Sequence, residues 1–330
     1  MRDISIDITR GIAIFMMIAA NMLPYLLVTP VPAFVRIYAT CAAPIFVTIA
    51  GMMVALTRGK HHFKYFLDRG AIVILIGVLL DVFINGVYPF TDMDVLYLIG
   101  ISLPLAYVCI SLDKKLRWVV IGLIFLITPV LQYTMGYNEV VNLNSSWIGI
   151  AHSMIIDGYF PLFPWLGFSF LGAQLGSIRW ENGTIKRFDG PRAAVIIAAL
   201  LVAGSVLWNA FPGKMYIQHG YVELFYPATI GFVITITGII LLAIATSDNM
   251  RDSRLLGPFR SMGEYSLPIY VIHIMIIALI IQPLHMRIGL LPYVVAYLFF
   301  ALAMYLLSIG LKKTGALKNG LKSKGHLIIE

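Results

Sequence analysis

The sequence predicts an all-α, polytopic helical membrane protein of about ten transmembrane helices, with both termini in the cytoplasm. Three observations predict it. The 330 residues are 60% hydrophobic and only 12% charged, with a mean hydropathy of +0.88, whereas a soluble domain is nearer half apolar and a quarter charged. The apolar runs approach roughly 20 residues, one bilayer crossing as a helix, and do not alternate as barrel strands do. Finally, the basic residues fall into alternate loops. These features exclude an ordinary soluble enzyme, because so few charges cannot cover a water-facing surface of this size.

In chain order, the apolar windows run over roughly 8–28, 34–56, 70–89, 93–112, 117–136, 159–178, 192–211, 227–246, 265–284 and 291–311. The first window carries Asp3 and Asp7 ahead of it and no small-residue cleavage site behind it, so it reads as a retained span rather than a signal peptide. With the N-terminus inside, 21 of the 24 Lys and Arg lie on the cytoplasmic side, the last of them Lys318, Lys322 and Lys324. Only Arg36, Lys214 and Arg287 are left outside. That asymmetry is the positive-inside pattern. The net charge of +8 is then explained by loops lying against anionic membrane lipids, with no need of nucleic acid. The short basic loops that carry Arg58, Arg69, Arg117, Arg187 and Arg260 also suit a phosphate-rich cytoplasmic ligand. Residues 1–330 read as a single domain, since the loops between windows are too short to fold independently.

Ionisable groups at membrane depth are expensive and mark candidate sites. Asp7 and Arg10, at i and i+3 where the first window begins, share a helix face and can pair or bind a ligand. Asn21, deeper on the same helix, must satisfy both a carbonyl and an NH2 group, so it joins two helices or faces a polar cavity. Asp81 lies in the third window without a partner on its own helix; it should face Arg36, a hydroxyl or a cavity. Ser266, Tyr270 and His273 form one polar stripe on an apolar helix. His152, Asp157, His219, Glu223 and His285 fall at the outer rim, beside an aromatic belt of Trp147, Tyr159, Phe160 and Trp165.

Other signals are absent. Cys41 and Cys109 sit inside apolar runs and offer neither a disulfide framework nor a metal spacing. His61 and His62 lack carboxylate or thiol neighbours at ligand spacing, so no metal site is expected. There is no Walker A, HExxH or GxSxG motif, nor a matched pair of broken helices of the kind that marks many secondary transporters.

Against this background several segments resemble the transmembrane acyltransferase superfamily that includes heparan-alpha-glucosaminide N-acetyltransferase and the YeiB-like bacterial membrane proteins. ISIDITRGIAIFMMIAAN resembles its first-span signature through Ser5, Asp7, Arg10, Gly11 and Asn21. APIFVTIAG is similar to its second span, and DVLYLIGISLPLAY to its fourth. DGYFPLFPWLGFSFLGAQLG resembles the aromatic segment of bacterial members. MGEYSLPIYVIH resembles a late segment that places Ser266, Tyr270 and His273.

The resemblance implies transfer of an acetyl or other short acyl group from cytoplasmic acyl-CoA, the donor, to an amine or hydroxyl of a sugar or glycan acceptor at the opposite face. It also implies a homodimer; the sequence itself shows no lysosomal targeting feature, so the membrane is read as the cytoplasmic membrane of a prokaryote. On this reading Asp7, Arg10, Arg58 and Arg69 serve the donor at the basic rim, and Ser266 and Tyr270 line its channel. Asn21 supplies an oxyanion donor, and His152, Asp157 or His273 the general base. One departure stands out. The histidine that follows the first-span Asn in the heparan enzyme has no counterpart in MLPYLLVTPVPAFV, so another group must act as base; His152, at the outer rim where the acceptor arrives, is the first choice. Two other readings remain, a transporter or flippase for a lipid-linked sugar or small anion, and a catalytically silent protein that binds CoA or sugar.

Overall fold

In lipid every backbone polar group must be satisfied within the chain, which favours helices; the computed structural model, which describes residues 2–138 and 145–314, is built of them. The first half comprises α1 (Ile4–Leu26), α2 (Ala33–Thr40), α3 (Ala42–Thr57), α4 (Phe63–Leu80), α5 (Val95–Ser111) and α6 (Lys114–Met135). The second comprises α7 (Trp147–His152), α8 (Leu162–Arg179), α9 (Pro191–Ala210), α10 (Ile230–Asn249), α11 (Gly257–Glu264), α12 (Ser266–Ile276) and α13 (Leu290–Thr314). Among the described residues the only extended pairings are isolated bridges, Leu27 with Ile288 and Gln218 with Tyr221.

Every apolar window falls on a helix. Among the described residues seven helical stretches are long and apolar enough to cross a membrane, or eight when the bent pair of α7 with its extension and α8 counts as one. The remaining two windows fall on α4, which carries Lys64, Asp68 and Arg69 within its 18 residues, and on the 17-residue α5. The chain is thus an integral membrane protein in its architecture. Lys318, Lys322 and Lys324 lie outside the described residues.

Burial sorts the helices. In α1 and in the α2–α3 stretch 72% and 78% of the residues of the apolar window are buried, against 17% in α6 and 11% in α9. The first two therefore form the core, and α6 and α9 turn Leu123, Leu126, Val195 and Val202 outward, an arrangement stable in lipid and not in water. Local chemistry sets several helix starts: the side chains of Asp94, Asp113, Ser146 and Thr229 accept hydrogen bonds from the first turns of α5, α6, α7 and α10. Asp3, at the N-cap of α1, makes no such cap bond because its carboxylate is bound elsewhere.

Small residues let the core helices touch backbone to backbone. A Cβ on Gly172 of α8 would lie 1.9 Å from the Thr48 carbonyl oxygen of α3, and one on Gly263 of α11 would lie 1.8 Å from the Asp7 carbonyl oxygen of α1. Neither oxygen can swing away as a flexible side chain would. Gly172→Ala is expected to cost at least about 1–3 kcal/mol, read as a lower midpoint of thermal unfolding in detergent. A midpoint equal to that of the unaltered chain would contradict the contact.

The basic loops are tied together at one end of the bundle. Arg58 donates to the Ile110 carbonyl (2.8 Å), Arg117 to Gln174 and Ser177, and Arg179 to Asp3 and Asp248. Arg2, Arg260 and Lys312 converge on Glu264. At the opposite end Arg287 donates to the Pro24 carbonyl (2.6 Å) at the end of α1, and Arg36 to that of Val222 (2.8 Å).

Candidate active site

A cavity of about 710 Å³ occupies the end of the bundle away from the basic loops. Its walls come from α1, α2, α3, the end of α4, the segment before α5, α12, and the 211–229 and 282–285 connections. Two helices depart from regular geometry where they reach it: α4 continues in a π-helical turn, Asp81–Asn85, and α12 in another, Ile277–Ile281. Such turns re-aim side chains at functional sites.

The lining is acidic. Asp81, Asp92, Asp94 and Glu223 all face the cavity, together with Asn21, Tyr270, His219 and His285, and among the described residues no Lys or Arg does. Asp81 accepts from the Tyr97 hydroxyl and, at 3.3 Å, from Asn85, so of the partners expected for it the structure supplies a hydroxyl and a cavity, not Arg36. Asp94 has two tasks. It caps α5 by accepting from the Leu96 N–H (2.9 Å), and it accepts from the Tyr270 hydroxyl at 3.3 Å. Oδ1 of Asp92 and Oε2 of Glu223 are buried and accept no hydrogen bond within the protein. Burial, reinforced by Asp81 and Asp94, pushes the Asp92 carboxyl well above the usual range. Burial likewise pushes Glu223 up to about 7, against the pull of Arg36.

The turn that bears Asp92 is held to the connection before α8 by two backbone hydrogen bonds. The Asp92 carbonyl oxygen accepts from the Tyr159 N–H (2.7 Å), and that of Met93 from the Phe160 N–H (3.0 Å). Phe90 (φ 66°) and Met93 (φ 50°) adopt left-handed backbone conformations without being glycine. Surrounding structure must enforce these conformations, as it does at many functional sites.

Asn21 lines the cavity, with His273 behind it. The ring donates from Nδ1 to the Ile269 carbonyl (3.0 Å), which leaves Nε2 to accept from the Asn21 amide nitrogen at 3.0 Å. His273 is fully buried and does not line the cavity. One N–H of the amide is thereby fixed on the ring, while its other N–H and its carbonyl oxygen are left for the cavity.

The structure therefore brings together Asn21, Tyr270 and His273 from the expected set. Ser266, the first residue of α12, is off the lining. His152 and Asp157 meet each other, Nδ1 to Oδ2 at 2.9 Å, with His152 Nε2 3.1 Å from the Met135 carbonyl and Asp157 also accepting from Asn138. Neither lines the cavity. Asp7 and Arg10 lie at the basic end, where Asp7 pairs with Arg2 (2.7 Å) and Arg10 (3.8 Å), and Arg10 donates to the Gly263 carbonyl. Arg58 and Arg69, also there, are anchored over Tyr107 and Tyr65. Sequence reading did not single out Asp92, Asp94 and Glu223 as one site. The signal present was a pair of carboxylates opening an apolar window, TDMDVLYLIG, which also reads as an ordinary helix start.

Among the described residues no three of His, Cys, Asp and Glu are arranged to hold a metal ion; the carboxylates are spread around the wall. Among curated proteins none is significantly similar to the chain. Residues 2–208, more than half of it, match the sequence model of the heparan-alpha-glucosaminide N-acetyltransferase catalytic domain, a match that takes in Asn21 and the carboxylates of the α4–α5 connection. The chain thus belongs to the family of that catalytic domain, an acetyltransferase family.

Proposed function

We propose that the protein transfers an acetyl or other short acyl group from acyl-CoA, presented at the basic, cytoplasmic end, to the amine of a sugar-like acceptor held in the acidic cavity at the extracytoplasmic end. The membrane on this reading is the cytoplasmic membrane of a prokaryote. The observation that carries the proposal is the cavity itself, lined by four carboxylates and Asn21 and, among the described residues, by no Lys or Arg. A polyphosphate donor is repelled by such a wall and suits the arginine-rich end instead, whereas a protonated amine is attracted to it. Tyr25, Tyr159 and Tyr221 add aromatic surface for an acceptor ring.

Acyl transfer to an amine that arrives protonated forms a C–N bond and breaks the C–S bond of the thioester; the second amine proton goes to the departing thiolate, which leaves as the thiol of coenzyme A, and one proton, that of the ammonium lost before attack, is released. Asp92, with a buried oxygen that has no other partner, accepts that proton. The remaining N–H of Asn21 donates to the carbonyl oxygen as negative charge develops on it. His273 acts as a positioning residue, fixing the Asn21 amide, and Tyr270 holds Asp94 in place. His152 and Asp157, paired outside the lining, support the wall.

Transfer of radiolabelled acetyl from acetyl-CoA to glucosamine by the purified protein tests this reading. Activity that falls on the order of 10²-fold in Asn21→Ala, the usual effect of removing one oxyanion donor, is the expected result. Absence of transfer to amine and hydroxyl sugars alike, combined with sugar flux in proteoliposomes lacking any acyl donor, would overturn it in favour of transport. Acceptor binding also carries a pH signature. Glu223, pushed up to about 7, is neutral below that pH and anionic above it, so affinity for a cationic acceptor should rise between pH 6 and 8. The rise relative to Glu223→Gln is the quantity to measure.

A further inference from the structure

On one side the acidic cavity is closed only by α4, α12 and the π-helical turns that prolong them, and these two turns lie side by side. Ile84 and Asn85 face the cavity from the first turn; Ala278, Gln282 and Pro283 face it from the second turn and its continuation. Asn85, Gln282 and Pro283 are at the same time exposed on the outside of the molecule. The cavity therefore reaches the surface between the two turns.

The surface around this opening is apolar. Val82, Phe83, Leu279, Ile280 and Leu284 are all exposed, Phe83 by 74%. Three of them lie on Ser266–Leu284, a stretch long and apolar enough to cross a membrane, so the opening is flanked by lipid rather than by water. Each helix is fixed from behind by a different neighbour. A Cβ on Gly70 of α4 would lie 2.3 Å from the Gly100 carbonyl oxygen of α5, and His273 of α12 is bonded to Asn21 of α1, while Asn85 bonds within its own turn, to Asp81. From inside to outside the chemistry thus runs from carboxylates, through the neutral amides of Asn85 and Gln282, to bare hydrocarbon. A polar glycan arriving from water gains nothing from the last of these layers, whereas a molecule with a cationic head, a hydroxyl-bearing middle and an apolar chain matches all three in order.

We propose that the amine taken by this cavity is the head of a membrane lipid, an amino sugar carried on a long apolar chain, which enters sideways between α4 and α12. The ammonium group meets the carboxylates, the sugar hydroxyls meet Asn85 and Gln282 at the opening, and the chain stays in the bilayer along Phe83 and Ile280. This inference rests on the reading of the cavity as the acceptor site and names the class of acceptor.

Binding to the protein in lipid nanodiscs, read as a rise in the midpoint of thermal unfolding, tests it with three probes. Dodecyl glucosaminide has both amine and chain, methyl glucosaminide the amine alone, and dodecyl glucoside the chain alone. The first is expected to bind at least tenfold more tightly than either of the others. A chain also concentrates a ligand in the bilayer, but equally for every variant, so the decisive quantity is the ratio of dodecyl to methyl glucosaminide affinity. That ratio should fall tenfold or more in Ala278→Trp, which narrows the opening, and in the double variant Phe83→Ser with Ile280→Ser, which strips its apolar flanks without altering the lining. Midpoints without ligand establish that each variant is folded. A ratio unchanged in both variants, dodecyl glucoside binding as tightly as dodecyl glucosaminide, or no binding of any probe overturns the proposal. Transfer of acetyl from acetyl-CoA to the two glucosaminides, measured alongside, separates this inference from the reading beneath it. Chain-dependent binding without transfer removes the acetyl-transfer reading and keeps the lipid-borne ligand; transfer with a ratio that neither variant moves does the reverse.

Discussion

Asp92→Asn is expected to lower the rate of acetyl transfer by a factor on the order of 10²–10⁴, the range a positioned general base contributes. The substitution keeps size and shape while removing the ability to accept a proton. Three features concentrate the effect on this carboxylate. Its Oδ1 is buried without a partner in a cavity that admits a ligand; burial beside Asp81 and Asp94 raises its affinity for a proton above that of an ordinary carboxylate; and the backbone around it is pinned to Tyr159 and Phe160. Asp81 and Asp94 are already committed to hydroxyl groups, of Tyr97 and Tyr270, so Asp81→Asn should be milder. Measuring kcat and KM separately decides the role. A loss confined to KM would make Asp92 an acceptor-binding group only, and an unchanged kcat/KM would remove it from the site.

The largest effect on stability is expected at Arg179, far from the cavity. Its guanidinium is fully buried and bonds two carboxylates in bidentate fashion, Asp3 (2.6 and 3.1 Å) and Asp248 (2.6 and 2.8 Å). Trp180 Nε1 and the Phe188 N–H supply further donors to the same two carboxylates at 3.0 and 2.8 Å. Arg179 thereby joins the start of α1 to the ends of α8 and α10. Removing the cation strands two buried anions, and breaking such a pair costs about 3–5 kcal/mol. Arg179→Ala should unfold at a markedly lower temperature, and Arg179→Lys should recover little, since an ammonium cannot reproduce the planar fork. Adding Asp3→Asn and Asp248→Asn to Arg179→Met should restore part of the loss by removing the stranded charges. Equal midpoints for Arg179→Ala and the unaltered chain would show that the triad adds nothing.

The class of the molecule was written in its composition. So many apolar residues and so few charges admit only a lipid-embedded helical bundle, and apolar runs locate helices because membrane depth forbids other backbones. The place of Asn21 in a polar site was also legible: an amide at that depth on α1 must find partners, and it found His273 and the cavity. Arg179, by contrast, read as one more basic loop residue, yet it is among the most buried side chains.

What only the tertiary structure decided is which polar groups share a space. Asp81, Asp92 and Asp94 are separated from Glu223 by more than a third of the chain, and the fold sets them around one cavity while turning His152 and Asp157 toward each other outside it. The physical reason is that hydropathy records how deep a residue sits in the membrane, whereas the face it presents depends on how helices pack and bend. Here that is fixed by contacts such as Gly172 with Thr48 and by the π-helical turns at Asp81–Asn85 and Ile277–Ile281. Depth is a property of the sequence; neighbours are a property of the fold.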